Sequence, residues 1–518
     1  MSDIVYLGID LGTTSIVVSY YSIEGNCIIT QPIYGLQTNY PVFFGINKKG
    51  VEVFGQQAKD KISTGSFVVC SEIKRFIGKR FDDPNIQEMI KNASYPIVET
   101  EDHEIGISFP NGKVLKPIDI YQKLMERIIS TLKTSNIPCS HAVITVPQSF
   151  QDYERKLFQE LFLNELNFSV VKVMNEPTAA ALYFQFENKY IGNYILFDYG
   201  GGTLDITLIE CFSNEKGKIK MNVIEHDGSS DKGGIDYDEM IYQNLLEEIT
   251  DEELKEYYKT QKGKAPLKVE CEQCKQYLSH ENAYTLQLSE YVNNKTISQN
   301  YEFTKGMFET ITKEHVEKVV EKVNKMIQNN ADRKIEGIML VGGSSMIPKI
   351  QNELKTKTNL PLLIAKEPLL AVSKGAALKG AAYAEQFKMN VKEVSCYSVG
   401  ILSKHTLLAI PFVKELIPKN KPLPFKSEYE YTISSDDQKS ILVQLYANCQ
   451  GTQFNEKQLL GVTEIELNEK CKKNDRVKLT VEMNDENKLH LSFWLMNMAV
   501  AKRFETEIEL KRDVESKE

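Results

Sequence analysis

From Val5 to Tyr21 apolar and polar residues alternate on either side of a Gly-Thr-Thr break, a pattern that predicts two strands joined by a tight turn. The stretch from Tyr194 to Glu210 repeats it, and in each copy an aspartate, Asp10 or Asp198, closes the first strand. Such self-similarity predicts a duplicated lobe. Between the copies, Pro117 opens a helix whose Ile120, Leu124, Ile128 and Leu132 fall on one face. Ala142 to Val146 reads as a buried strand, and Pro177 begins another helix through Thr-Ala-Ala-Ala-Leu. After the second copy, helical periodicity covers Tyr237 to Ile249, Leu267 to Leu278 and Phe308 to Ile327. A buried strand, Gly337 to Val341, runs into Gly-Gly-Ser-Ser ahead of a helix starting around Ile347-Pro348, and an Ala- and Gly-rich helix spans about Ala371 to Gln386. Alternating strands and helices predict an α/β architecture of two related lobes.

Past Glu393 the period shortens to that of strands: Tyr429 to Ile433, Ile441 to Tyr446, Val462 to Leu467, Val477 to Met483, Leu489 to Leu495 and Phe504 to Leu510. This predicts an antiparallel β domain with no helix of useful length after it. The domains are expected at 1–388 and 394–518, joined by 389–393.

At 518 residues the chain needs more than one core. Apolar residues at 42% and charged residues at 26% place it with ordinary globular proteins. The net charge of −9 argues against nucleic-acid or anionic-membrane tracks. The N-terminal Met-Ser-Asp-Ile-Val-Tyr has no basic region followed by an apolar one, and nine scattered cysteines read as reduced thiols; both lead to the expectation of a cytoplasmic protein. The N-x-S/T matches at Asn92, Asn167 and Asn294 are then without meaning. Cys271-x-x-Cys274 lies in a helical stretch with no second Cys/His pair and is expected to be structural.

A strand that ends in Asp and turns through Gly and Thr can present backbone N–H groups to phosphate oxygens, because Gly permits close approach and positive φ. One such loop is commonly a plain hairpin. Two matched loops, Asp10 to Thr14 and Asp198 to Thr203, can grip one polyphosphate from both sides, and Asp10 with Asp198 can hold a hydrated Mg²⁺. A third element, Val341-Gly342-Gly343-Ser344-Ser345, can let a flat adenosine lie against backbone.

Three elements in this order resemble the superfamily of actin, sugar kinases and seventy-kilodalton heat-shock proteins. Within it the chain is similar to the DnaK-type chaperone family over almost its whole length. Gly8 to Thr14, Ile73-Lys74-Arg75-Phe76-Ile77-Gly78, Val143 to Pro147, Asn175-Glu176-Pro177-Thr178-Ala179-Ala180-Ala181, Phe197 to Thr203 and Leu340 to Ser344 carry the resemblance, with Leu416 to Asn420 and Leu459-Leu460-Gly461 in the β domain. The resemblance implies a two-lobed actin-like ATPase domain followed by an antiparallel β-sandwich that binds peptides, here without the family's helical lid. It implies that Lys74 orients the attacking water, that Thr13 and Thr203 contact the γ-phosphate, and that Asp10, Glu176 and Asp198 organise Mg²⁺ and its waters. ATP or ADP would be held by Gly12, Thr13 and Thr14, by Gly200, Gly201, Gly202 and Thr203, and by Gly342, Gly343 and Ser344. Glu272, Lys275 and Ser279 would stand at the ribose. Pro147 and Arg155 stand where the family keeps a switch that reports nucleotide state to the β domain. The implied partners are unfolded or nascent polypeptides, a J-domain cochaperone and a nucleotide-exchange factor.

The pattern also breaks. Gln276 and Met346 replace the two arginines between which the family holds adenine, removing a cation-stacking contribution of about 0.5–2 kcal/mol each. Leu369 replaces an acidic residue. Met389-Asn390-Val391-Lys392-Glu393 is a polar version of an apolar linker, and burying Asn390 and Lys392 would cost desolvation. Ile401, Tyr431, Ile441 and Val443 match peptide-groove positions and equally suit a sandwich core. Three functions therefore compete: an ATP-hydrolysing chaperone, a weakly or non-hydrolysing ATP-binding scaffold, and a small-molecule kinase, the last disfavoured because the β domain has no part in that chemistry.

Overall fold

The computed structural model describes residues 4–84, 86–212, 218–230, 232–404, 411–448, 459–467, 471–495 and 502–506. The chain divides into two compact units. The first comprises Met1–Pro147, Leu157–Lys220 and Asp227–Met389; the second comprises Gln148–Lys156, Met221–His226 and Asn390–Glu518. Among the described residues no helix is long and apolar enough to cross a membrane.

In the first unit, β1 (Tyr6–Leu11), β2 (Ser15–Ser22) and β3 (Cys27–Thr30) lead to α1 (Pro117–Thr134), β4 (His141–Val146), β5 (Val170–Asn175) and α2 (Glu176–Asn188). The first sheet runs β5-β4-β1-β2-β3. The second copy follows as β6 (Gly192–Tyr199), β7 (Leu204–Cys211), α3 (Gly234–Glu248), α4 (Gln261–Leu278), α5 (Lys313–Asn329), β8 (Ile335–Val341), β9 (Leu362–Ile364) and α6 (Ala371–Tyr383). Its sheet contains the run β9-β8-β6-β7. The duplication is exposed by the pairing: β1 is antiparallel to β2 and parallel to β4, and β6 is antiparallel to β7 and parallel to β8. The family's α/β, two-lobed architecture followed by a β-rich part is thus realised.

Local chemistry explains the elements. α1 starts at Pro117, with the Lys116 N–H donating to Asp119 Oδ2 at 3.0 Å. Its Ile120, Leu124, Ile128 and Leu132 are fully buried, each contributing about 1.5–3 kcal/mol through burial. Two helices cross where no side chain fits: a Cβ on Gly375 of α6 would lie 1.6 Å from the Ala179 carbonyl oxygen of α2. The helix expected from Phe308 is two, Lys305–Ile311 and α5, broken at Thr312, whose hydroxyl donates to the Phe308 carbonyl at 2.7 Å.

The second unit holds two four-stranded antiparallel sheets. With β10 (Val399–Lys404), β11 (Pro411–Ile417), β12 (Phe425–Thr432), β13 (Ser440–Ala447), β14 (Leu459–Glu466), β15 (Arg476–Met483), β16 (Leu489–Leu495) and β17 (Lys502–Thr506), the orders are β11-β10-β13-β14 and β12-β15-β16-β17. Val399, Leu445, Leu479, Val481 and Leu491 are fully buried in its core. The part of the last expected strand beyond Thr506 lies outside the described residues.

Candidate functional site

β1 carries Asp10 to its penultimate position, opposite Val17 of β2 and Thr145 of β4. β6 carries Asp198 to the matching position, opposite Asp205 of β7 and Val341 of β8. The turns that follow abut. A Cβ on Gly201 would lie 2.3 Å from Thr14 Cγ2, and one on Gly202 would lie 2.5 Å from Thr13 Oγ1, so only glycine permits this approach. Each turn is tied down through its carbonyls. The Tyr121 hydroxyl of α1 donates to the Gly12 carbonyl at 2.8 Å. The Gly200 carbonyl accepts from the Gly234 N–H at 3.0 Å and from Ser344 Oγ at 2.8 Å, while the Gly201 carbonyl accepts from the Ile235 N–H at 2.9 Å. The Gly200 N–H donates back to the Thr203 carbonyl at 3.1 Å. Gly342, at φ +80°, completes the third turn beside Asp198.

Charge gathers between the two aspartates. Lys74, on the short turn Ile73–Phe76, places its ammonium 2.5 Å from Oε1 of Glu176, the first residue of α2, and both side chains are buried. Burial, then the Glu176 charge, pushes Asp10 up to about 7 against the pull of Lys74. Burial also drives Asp198 well above the carboxylate range, with the charges of Glu176, Asp205 and Asp10 adding to it. Several buried carboxylates thus share one ammonium. That excess of negative charge fits a divalent cation. Among the described residues no three acidic, histidine or cysteine side chains converge closely enough to ligate an ion directly, so such an ion would be met through its water shell.

Beside the loops lies a cavity of about 680 Å³. Thr13, Thr14, Gly201, Gly343 and Ser344 reach it on one side, and Glu272, Lys275 and Ser279 of α4 and its C-terminus on the other. The polar groups on α4 already have partners: Lys275 Nζ lies 2.7 Å from Asp238 Oδ1, Glu272 Oε2 lies 2.7 Å from Lys59 Nζ, and Ser279 Oγ donates to the Lys275 carbonyl at 3.1 Å. Gln276, Met346 and the half-exposed Leu369 also line the cavity. Gly12, Gly200, Gly202, Thr203 and Gly342 build the turns without lining it. Sequence reasoning missed Lys59, Tyr121, Asp205, Asp236 and Asp238. Only Asp236 and Asp238, spaced two apart after Gly233-Gly234, carried a local signal.

In the second unit, Ile401 and Val443 belong to the buried core, and Tyr431 and Ile441 pack half-buried against it. Ile401, Ile441 and Val443 share the β11-β10-β13-β14 sheet, whereas Tyr431 lies on β12 of the other. Arg155 Nε donates to the Phe150 carbonyl at 2.9 Å, and its Nη2 lies 3.7 Å from Cys396 Sγ. The segment Met389–Lys392 is a strand neighbouring the one that contains Met221–His226. Asn390 and Lys392 stay exposed in it while Val391 turns inward. Alternation along a strand removes the desolvation cost that burying them would have carried. Glu393 is buried, 3.7 Å from His226 Nε2, and the His226 N–H donates to Asn420 Oδ1 at 2.9 Å.

Comparison with known proteins agrees with this arrangement. The chain is 26% identical over 472 residues to heat shock cognate 70 kDa protein 3 of Dictyostelium discoideum, covering 89% of this chain and 73% of the relative. It is 26% identical over 454 residues to a heat shock 70 kDa protein of Neurospora crassa, covering 85% and 68%. A family model described as Hsp70 protein matches residues 6–517. With paired phosphate-type loops in one unit, a β-rich second unit and a match along nearly the whole chain, this protein belongs to the Hsp70 family of nucleotide-binding chaperones.

Proposed function

We propose that the first unit binds and hydrolyses ATP with Mg²⁺, and that the second unit holds short apolar segments of unfolded or nascent polypeptides. The observation that carries this reading is the buried Lys74–Glu176 pair at 2.5 Å, whose charges act on both Asp10 and Asp198. Residues 1–388 would be the ATPase domain, 389–393 the linker and 394–518 the peptide-binding domain. Thr13 and Thr203 contact the γ-phosphate, and Gly12, Thr14 and the Gly200–Gly202 turn wrap the phosphates. Gly342, Gly343 and Ser344 lie along the adenosine, and Glu272, Lys275 and Ser279 along the ribose. Mg²⁺, when bound, supplies positive charge against the phosphates, and Asp10, Glu176 and Asp198 hold its waters. Lys74 would orient the attacking water, whose oxygen bonds to the γ-phosphorus as the bond from that phosphorus to the β–γ bridging oxygen breaks, leaving ADP and inorganic phosphate. Ile401, Tyr431, Ile441 and Val443 form the peptide contact. A J-domain protein and a nucleotide-exchange factor are the proposed partners, and the cytosol the proposed compartment.

A second reading, an ATP-binding scaffold that hydrolyses weakly or not at all, rests on Gln276 and Met346 at the cavity wall. Single-turnover ATP hydrolysis by wild type and Lys74→Ala, with and without an apolar peptide, separates the two. Turnover stimulated by peptide and lost in Lys74→Ala supports the first reading. Binding without turnover supports the second, and absence of ATP binding overturns both.

A further inference from the structure

Arg75, next to Lys74, is committed to the other lobe. Its Nη2 lies 3.1 Å and 3.2 Å from the two carboxylate oxygens of Asp236, and the two side chains are 7% and 25% exposed. Asp236 is the third residue of α3, and its Oδ2 also accepts from the Gly233 N–H at 2.5 Å, satisfying the backbone donor at that helix start. The same turn of α3 suspends the second phosphate-type loop: the Gly234 and Ile235 N–H groups donate to the Gly200 and Gly201 carbonyls. Hydrogen bonds joined by the backbone of α3's first turn therefore link the turn that carries Lys74, through Arg75 and Asp236, to the carbonyls of Gly200 and Gly201. Both contacts come from one guanidinium nitrogen, Nη2, which bifurcates between the two carboxylate oxygens; the length and planarity of the arginine side chain set this reach, and a lysine does not reproduce them.

We propose that Arg75 is a positioning residue that aligns the second phosphate loop with Lys74, so that the loop takes its working geometry only when the two lobes are together. This rests on the reading of the site as an ATPase. Arg75 touches neither phosphate nor water in this scheme; it acts through Asp236 and the first turn of α3.

The test uses the full chain with Arg75→Ala, Arg75→Lys, Asp236→Asn and the Arg75→Ala/Asp236→Asn double variant. Asp236→Asn keeps an oxygen for the Gly233 N–H and removes the charge that Arg75 grips. The expected result is a single-turnover rate at least about tenfold lower in Arg75→Ala, with the ATP Kd within about threefold of wild type, since misplacement penalises the reacting geometry more than binding. Arg75→Lys should recover only part of the rate. The double variant should be no slower than Arg75→Ala, because both changes cut one path. Rates within about twofold of wild type, an affinity loss as large as the rate loss, or defects that multiply in the double variant would each overturn the proposal. If wild type shows no turnover, the ATPase reading fails by itself, and amide exchange decides the positioning role. Faster exchange at Gly201 to Thr203 and Gly234 to Ile235 in Arg75→Ala supports it, and unchanged exchange there sinks it. Should Arg75→Ala not fold, Arg75→Lys and Asp236→Asn carry the same readouts.

Discussion

Replacing Lys74 with methionine keeps most of the side-chain length and deletes the charge. The ammonium lies 2.5 Å from Glu176 Oε1, with the two side chains 3% and 10% exposed. Removing one partner of a buried pair costs about 3–5 kcal/mol, because the remaining charge is stranded. Lys74→Met should therefore destabilise the first unit by about 3–5 kcal/mol at pH 7. Removing the stranded charge as well, in Lys74→Met/Glu176→Gln, should recover most of the loss. Global unfolding is an unsuitable assay, since two units need not melt together. Native-state amide exchange at Leu7, Ile9 and Ile144, all fully buried in the first sheet, reports the first unit in the intact chain. A loss below about 1 kcal/mol at pH 7, or a double variant less stable than Lys74→Met, would refute the claim that this pair is desolvated.

Gly375→Ala should cost more than about 2 kcal/mol, because the new Cβ would lie 1.6 Å from the Ala179 carbonyl and one helix must move; native-state amide exchange at Leu7 and Ile9 indistinguishable from wild type would count against the crossing. Burial raises Asp238 from 3.8 to about 7, so the folded state binds that proton more tightly, and the stability it contributes is full below about pH 4 and lost as pH rises through 7. The stability of the first unit in wild type relative to Asp238→Asn, read by native-state amide exchange corrected for intrinsic rates, should therefore fall between pH 4 and pH 7 and then level off; a flat or rising difference contradicts the sign. Burial pushes Cys274 up to about 12 and Cys271 well above the thiol range, whereas Cys27 is exposed. A thiolate-directed reagent at pH 8 should label Cys27 in the native protein and reach Cys271 and Cys274 only on unfolding, as read by peptide mass mapping; rapid native labelling of either α4 cysteine would show that α4 opens.

The duplicated loops were legible because everything that makes them is local: alternation gives the strand, Asp closes it, and Gly allows the turn. α1 was equally plain, with Pro117 at its start and apolar residues every third or fourth position through Leu132. Contacts between distant polar groups were not legible, because they leave no period behind. Lys59 and Glu272, 213 residues apart, meet at 2.7 Å, and Tyr121 reaches Gly12 across 109 residues. Nothing next to either residue announces its partner. The hairpin Ala283–Val292 with Lys295–Thr304 was missed for a different reason. Its outward positions are polar and its turn is Asn293-Asn294, both at positive φ, a hairpin signal that lacks the usual glycine. In the second unit the same alternation that reveals strands cannot separate a groove from a core: Ile401 and Val443 are buried residues of the sandwich, as the inward positions of any such strand would be.

The acids at the centre of the first unit explain why its stability and its chemistry pull in opposite directions. Asp10 and Asp198 stand at matched positions on β1 and β6, Asp198 buried and Asp10 half-buried, and the charges of Glu176 and Asp10 add to burial in holding a proton on Asp198. One ammonium, Lys74, offsets part of that repulsion. Amide side chains of the same shape would be less costly to bury, since the desolvation penalty of a carboxylate is several kcal/mol. A fold selected for stability alone would not place them opposite one another across two lobes. The arrangement makes sense for a site that is completed by positive charge brought in from outside, because a ligand that binds only the folded form returns stability through mass action. The turns are built to match: their glycines let Thr13 and Thr14 touch Gly202 and Gly201, so the lobes meet at the point where the acids concentrate negative charge. Duplication thus does more than enlarge the core. It sets two copies of one strand-and-turn face to face, and the negative charge their acids gather is what a bound cation would offset.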